Sequence, residues 1–356
     1  MVTDARPEQI KQIFKKHCLL IGRRFRLAHI RFRGEIVEVA TFRVREDGPE
    51  DGDRHIAANG RIVRDNIYGR SISEDVWRRD FSVNALYYNI ADLSVIDFTD
   101  GISDLATGTL RLIGDPETRY REDAVRTLRA VRFAAKLGFR IHPDTEAPIY
   151  EFGKLLQEVP PARLFDETLK LLHGGYAVAS FHLLRHYGLF GQLFPATDAV
   201  LKKKNLRLVE QALANTDNRI AEGKPVTPAF LFAALLWPPL QRLAKRNRER
   251  GMKPTPALDA ARYAVIEEQV NHVMIPRRFT AMTKEIWGFQ SRLVRNFEKR
   301  PKQIARHPRF RAAYDFLVLR AETGDEEVRK AAKWWTDFQE NHEIIPDKPK
   351  KKRPPG

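Results

Sequence analysis

The chain is poor in cysteine. Cys18 is the only one in 356 residues, which excludes a disulfide framework and a cysteine-rich zinc site. A reducing compartment, the cytoplasm, is the expected location. Long apolar runs are missing as well. The longest is Phe230 to Trp237, far short of the roughly 20 residues that a membrane span needs. The opening residues, MVTDARPEQIKQIF, carry no apolar run after their first charges, so neither a signal peptide nor an anchor is expected there. No G-x-x-x-x-G-K-[ST] loop occurs, so a nucleotide would not be cradled in the P-loop manner. Acidic residues are in deficit: 46 Asp and Glu stand against 62 Lys and Arg, a formal net charge of +16. That excess points to a polyanion, nucleic acid first, because Lys and Arg on its phosphates release counterions. The alternative is charge that serves only solubility.

What is present suffices for two or three domains, since the length is too great for one core and 43% of the residues are hydrophobic. A helix is expected over Pro7 to Lys16, with proline at the first helical position. Two strand-like runs then flank Gly34 in HIRFRGEIVEVATFR. Glu46 to Ile62, rich in Gly, Asp and charge, reads as a mobile loop. A second β pair, ALYYNI and SVIDF, turns at Ala91-Asp92, and TLRLIG reads as a short strand. Beyond Gly114 almost everything to about Gln339 reads as helix. REDAVRTLRAVRFAAKLGF is expected to be one amphipathic helix stopping at Gly138, and PPARLFDETLKLLHGG has proline start and glycine stop signals. DKPKKKRPPG is a basic, proline-rich tail with no means of packing. The fold class is α+β: a small mixed sheet followed by helical domains.

Three segments could carry chemistry. RRDFSVNALYY, Arg78 to Tyr88, sets two arginines and an aspartate before a strand. The arginines can grip phosphate in a bidentate fork, Asp80 can meet a metal or a sugar hydroxyl, and Asn84 both donates and accepts; a surface ion pair is the alternative. In EIVEVATFR, strand alternation puts Glu38, Ala40 and Phe42 on one face and Val37, Val39 and Thr41 on the other. Glu38 is then a metal ligand or part of a solvated face. In YREDAVRTLRAVRFAAK, Asp123 and Arg126 are three apart, and Arg126, Arg129, Arg132 and Lys136 form one helical stripe. The pair could offer a hydrogen-bonding edge to a nucleobase and the stripe could take a triphosphate or RNA backbone; the alternative is an intrahelical salt bridge.

Taken together, RRDFSVNALYY, DFTDGISDL and RLIGDPETRYREDAVRTLRAVRFAAKLGF resemble the class II nucleotidyltransferases of the polymerase β superfamily, which comprise the bacterial poly(A) polymerases and the CCA-adding tRNA nucleotidyltransferases. LIGRRFRLAHI, PAFLFAALLW, HPRFRAAYDFLVLRAE, the KWW run and the basic tail are similar to the poly(A) polymerase branch. The resemblance implies a nucleotidyltransferase head over 1–114, a helical neck over 115–175, a helical RNA-binding body over 176–340 and a basic disordered tail over 341–356. It implies that RNA 3′ ends are extended with AMP from ATP, with no template and no membrane partner. Glu38 and Asp80 would be the catalytic carboxylates, with Glu38 beside a metal. Arg78, Arg79, Asp80 and Asn84 would meet the ribose and phosphates; Glu122, Asp123 and Arg126 the base; Arg129 and Arg132 the phosphates. Two Mg²⁺ ions about 3.5–4 Å apart would lower the pKa of the hydroxyl and neutralise the leaving charge.

One departure from the family is plain. The family begins with a Gly-Gly…Arg-Asp segment and an Asp-x-Asp pair, followed by a run like V-T-x-A-x-P-E-Q; here that run is Val2 to Gln9, and Met1 falls at the second metal aspartate. Glu38 and Asp80 alone are not expected to hold two metals, so the expectation for this chain is impaired adenylyl transfer, either because the reading frame starts upstream or because the product is a non-catalytic RNA-binding remnant. The other enzyme reading is CCA addition. No His-Asp dipeptide occurs, so the His-Asp phosphohydrolase domain of some CCA-adding enzymes leaves no trace.

Overall fold

The computed structural model describes residues 1–22, 26–43, 53–56, 62–66, 68–69, 71–201, 203–295, 301–324 and 326–342. They fall into two compact units, Met1–Leu155 and Leu156–Gly356.

The first unit is α+β. Strand β1 (Val2–Thr3) is followed by α1 (Pro7–Phe14), then β2 (Cys18–Ile21), β3 (Leu27–Phe32) and β4 (Glu35–Thr41). They form a mixed sheet in the order β1-β4-β3-β2, with β1 parallel to β4 and the other pairs antiparallel. Arg33 and Gly34 both take positive φ, which suits a two-residue hairpin because its backbone twist matches that of the strands. Helix α1 buries Ile10 against Cys18, Ala28, Ile30 and Val39, so one face of the sheet is covered. The expected alternation along β4 is present: Val39 and Thr41 are buried and Glu38 is exposed. Helix α1 ends at Phe14, two residues before the expected Lys16, and a 3₁₀ turn over Lys15–His17 follows.

The expected loop from Glu46 to Ile62 holds a strand instead. β5 (Asp53–Ile56) pairs antiparallel with β6 (Ile62–Asn66), and the rest of that segment lies outside the described residues. Helix α2 (Ile72–Val76) starts at a capping box in which the Ser71 hydroxyl accepts from Glu74 N–H and Glu74 accepts from Ser71 N–H. β7 (Tyr87–Asn89) and β8 (Ser94–Ile96) form the expected hairpin. Helix α3 (Gly101–Thr107) begins where a Cβ on Gly101 would stand 2.5 Å from the Ser82 carbonyl oxygen, so only glycine fits. The expected strand TLRLIG shortens to β9 (Thr109–Leu110).

Next come α4 (Pro116–Glu122), α5 (Val125–Leu137), β10 (Arg140–Ile141), α6 (Pro143–Glu146) and α7 (Ile149–Phe152), with β10 parallel to β9. The continuous helix expected over Arg121 to Gly138 is broken. Asp123 is extended, at φ −155° and ψ 97°. Its carbonyl accepts from Arg126 N–H and its carboxylate from Val125 N–H, local bonds of the kind that let Asp compete with helix continuation. Helix α5 ends on Gly138 in the left-handed region, as the sequence predicted.

Among its described residues the second unit is built of helices: α8 (Pro161–Leu172), α9 (Ala177–His186), α10 (Leu189–Leu193), α11 (Pro195–Asp198), α12 (Lys203–Ala221), α13 (Pro228–Leu235), α14 (Trp237–Glu249), α15 (Pro254–His272), α16 (Arg277–Arg295), α17 (Pro301–Ala305), α18 (Phe310–Thr323) and α19 (Glu326–Glu340). The apolar run noted above spans most of α13 and the start of α14, and Leu231 to Leu236 are essentially inaccessible. Thr283 and Trp287 of α16 donate to the Ala229 and Ala233 carbonyls of α13, fastening the two helices. Trp335 is fully buried and donates to the Leu293 carbonyl; Trp334 stacks on Phe338. Both tryptophans are therefore packing residues. No described helix is long and apolar enough to cross a membrane. The basic tail beyond His342 lies outside the described residues.

Candidate nucleotide site

The R-R-D segment follows α2 and precedes a 3₁₀ turn at Ser82–Asn84. Asp75, at the end of α2, shapes it. Its carboxylate accepts from Arg79 Nη2 at 3.0 Å, Tyr87 Oη at 2.6 Å and Arg43 N at 3.1 Å. Arg79 Nε also donates to Tyr87 Oη at 2.7 Å, and Nη1 to the Asn84 carbonyl at 3.1 Å. Burial and the bond to Asp75 push the Tyr87 phenol well above its ordinary pKa, so it stays protonated. Arg79 is thus held on every nitrogen by its own turn and strand.

Asp80 points the other way, into α5. Its Oδ1 accepts from Phe81 N at 2.9 Å and Asn84 Nδ2 at 3.2 Å. Its Oδ2 accepts from Arg129 Nε at 2.6 Å, and Arg129 Nη2 closes on the same oxygen. The carboxylate is 11% exposed and Arg129 31%. Phe133 packs edge-on against Phe81 and carries the guanidinium planes of Arg129 and Arg132 at 5.4 and 4.4 Å. Partly buried Arg129 and Arg132 and exposed Lys136 line one side of α5, leaving a cationic surface that a phosphate can approach.

Arg119 joins the two motifs. It is 3% exposed. Its Nη2 donates to the Arg78 and Arg79 carbonyls at 2.9 and 2.7 Å, and its Nη1 to Glu122 Oε2 at 2.8 Å. Arg126 Nη1 reaches the same Glu122 oxygen at 2.9 Å. The sequence spacing suggested an Asp123–Arg126 pair on one helix. The break at Asp123 changes that: Arg126 pairs with Glu122, and Asp123 Oδ1 accepts from Val125 N at 3.2 Å.

The structure thus gathers Arg78, Arg79, Asp80, Asn84, Glu122, Asp123, Arg126, Arg129 and Arg132 around the junction of α2, α4 and α5. Glu38 stands on β4, its side chain 66% exposed, with His29 Nε2 at 3.1 Å, and among the described residues it makes no ion pair with the motif residues. Nor do the described residues gather three or more His, Cys, Asp or Glu side chains as a metal would require. With Asp80 held by Arg129 and Glu38 beside a histidine, these carboxylates do not fit a two-metal centre. Sequence reasoning missed Asp75, Tyr87 and Arg119. The D-x-x-x-R spacing of Asp75 and Arg79 was the available signal for the first; Arg119 gave none, because its partners are backbone carbonyls 40 and 41 residues away.

Three family descriptions match the chain: "Poly A polymerase head domain" over residues 1–111, "Probable RNA and SrmB-binding site of polymerase A" over 138–201 and "Polymerase A arginine-rich C-terminus" over 250–354. Poly(A) polymerase I of Escherichia coli O6:H1 is 48% identical over 348 residues, covering 95% of this chain and 74% of that protein. A CCA-adding enzyme of Lactobacillus johnsonii is 35% identical over 66% of this chain and 54% of its own. Among solved structures, a tRNA-processing enzyme in an apo form superposes with a TM-score of 0.65 at 20% identity, covering 97% of this chain and 82% of that one, which shows a shared fold. Identity of this extent, with the head, RNA-site and C-terminal descriptions in order along the sequence, places the chain in the poly(A) polymerase family.

Proposed function

We propose that this protein is a polynucleotide adenylyltransferase that extends RNA 3′ ends with AMP from ATP in the cytoplasm. The observation that carries this reading is the 48% identity to a poly(A) polymerase over 95% of the chain. In the reaction the RNA 3′-hydroxyl oxygen bonds to the α-phosphorus of ATP, the bond from that phosphorus to the β-phosphate oxygen breaks, and pyrophosphate leaves. The reading divides the chain into a head over 1–114, a neck over 115–175, a body over 176–340 and a tail over 341–356. Mg²⁺ is the ion it assigns to the reaction, and the described carboxylates do not compose that ion's site.

The residue roles follow from the hydrogen bonds already made. Asp80 accepts two donors on each oxygen, so a ribose hydroxyl reaches it by displacing one of them, while Arg129 fixes its direction. Arg129, Arg132 and Arg78 present charge to the phosphates, where a guanidinium fork matches two oxygens at once. Glu122 and Arg126 offer an acceptor and donors to a base edge, with Asp123 beside them. Arg79 acts on the nucleotide through the turn it holds. Nucleotide choice tests the reading. Titrated with labelled ATP and CTP, the protein is expected to bind ATP at least tenfold more tightly, and supplied with an RNA primer, to add adenylate rather than cytidylate, with extension impaired because the described carboxylates do not compose a two-metal site. CTP incorporation at a tRNA end without tail formation would overturn the reading in favour of CCA addition.

A further inference from the structure

One hairpin of the first unit turns an apolar face to solvent. Among the described residues β7 and β8 pair only with each other. Tyr87 and Ile96, opposite one another, face the core with Val76, Ala85 and Ile113. Alternation would then put polar side chains on the outer face. Tyr88 and Val95 stand there instead, directly opposite in register and both exposed. Ile90 and Leu93 close the hairpin at its turn and are exposed as well, Leu93 to 70%. Leu93 also sits at φ 61°, in the left-handed region where a Cβ crowds the following carbonyl oxygen. The fold gains nothing from a strained leucine that buries so little of itself, and strain of this kind clusters at ligand contacts.

The charge of this segment is opposite in sign to that of the chain. From Phe81 to Leu110 no Lys, Arg or His occurs, against four aspartates, in a protein of net charge +16. Asp104 is buried and paired with Arg111. Asp92, in the hairpin turn, and Asp100, just before α3, are exposed. The Ser94 hydroxyl and N–H both donate to Asp92 and hold its carboxyl below the usual carboxylate range. Phosphates of RNA or of an anionic lipid are repelled by such a surface. Lysine or arginine beside apolar side chains satisfies both its carboxylates and its apolar face. Single exposed apolar residues need no explanation, but four on one hairpin make a patch of the kind that marks a protein interface.

We infer that the β7–β8 hairpin docks a protein segment in which apolar side chains are flanked by lysine or arginine. Fluorescence anisotropy with a short labelled amphipathic peptide of leucine and lysine tests it, beside the same peptide with glutamate for lysine. The unmodified protein is compared with L93N/V95T, in which asparagine suits the left-handed backbone and threonine suits the strand. That variant is expected to unfold in urea at an unchanged or higher midpoint, yet to bind the lysine peptide about tenfold more weakly. I13Q/I36T, which removes exposed apolar residues of α1 and β4 outside the patch, is expected to stay within about threefold of the unmodified protein. D92N/D100N keeps the acceptor oxygens and the left-handed backbone of Asp100, and is expected to weaken binding about threefold and flatten its salt dependence. The glutamate peptide is expected to bind the unmodified protein and L93N/V95T alike. Equal losses in L93N/V95T and I13Q/I36T, or no loss in L93N/V95T, would overturn the inference. A loss that came with a lower urea midpoint would assign the face to packing and overturn it too. A dimer in sedimentation that L93N/V95T dissolves would assign the face to a second copy. Phosphatidylglycerol vesicles that bind the unmodified protein and not this variant would assign it to a membrane. Either result would overturn the inference.

Discussion

At the residue scale, the account turns on which charges are tied and which remain available. Asp80 is tied to Arg129 across 49 residues of sequence. Arg129→Ala leaves that carboxylate, 11% exposed, with only two donors. The partial exposure of Arg129 discounts the full cost of breaking a buried pair, so about 2 kcal/mol of stability is expected to be lost, read by urea unfolding. Weakening of labelled ATP by about tenfold or more should accompany it, since the variant also removes a phosphate-facing guanidinium. Arg129→Lys should recover stability better than ATP affinity, because a lysine keeps the charge and loses the fork. Arg79→Ala is expected to behave oppositely. It strips donors from Asp75, Tyr87 and Asn84, costing about 2 kcal/mol with a smaller change in nucleotide affinity. A third residue gives a pH signature. His173 is lowered to about 4 by burial, so the folded protein keeps it neutral where the unfolded chain protonates it. Its contribution is full above about pH 6.5 and is lost as the pH falls toward 4, of order 3 kcal/mol in all. Heat unfolding at pH 7 and pH 5 checks this: His173→Gln should lose less stability between the two than the unmodified protein, and equal losses would refute the assignment.

At the scale of elements, the break at Asp123 is the feature that changes the reading of the site. Periodicity alone gave one helix from Arg121 to Gly138, and on such a helix Asp123 and Arg126 would be neighbours. The structure shows two helices, with Asp123 as an extended hinge that caps the second. Asp123→Ala is expected to cost about 1 kcal/mol, the usual worth of such a cap, and to loosen the Glu122–Arg126 contact across the break. Amide exchange at Val125 and Arg126, faster in the variant, would show it; unchanged protection would mean that packing of the buried α5 face holds the helix start without the cap. Much else at this scale was legible. The β3–β4 hairpin, the alternation along β4, the proline starts and the glycine stops all rest on short-range backbone preferences that a sequence displays. The strand β5 was not legible, because glycine and charge mask pairing that depends on a partner strand. The Arg119 bridge was not legible either, since backbone carbonyls leave no mark on a sequence.

At the scale of the whole molecule, the charge of +16 resolves into two kinds of cationic surface. One is the α5 face beside Asp80, built of arginines that are partly neutralised and directed. The other is a cavity of the second unit lined from α14, α16 and α18, where Arg242, Arg248 and Arg295 make no ion pair among the described residues. The α+β head and the helical remainder could be read from hydrophobic period and breaker residues, and the family from motif order. The pairing of Glu38 with His29 could not: its strand face was predictable, but which residue stands opposite it depends on the β3–β4 register. The central claim is that the residues joined by Asp80–Arg129 and Glu122–Arg126 form an ATP site of the poly(A) polymerase kind. The direct measurement is competition between unlabelled ATP and CTP for bound labelled ATP, on the unmodified protein and on Arg126→Ala. Displacement at least tenfold better by ATP than by CTP, with the preference collapsing in Arg126→Ala, is the predicted result. Equal displacement by the two nucleotides, or a preference that survives the substitution, would contradict it.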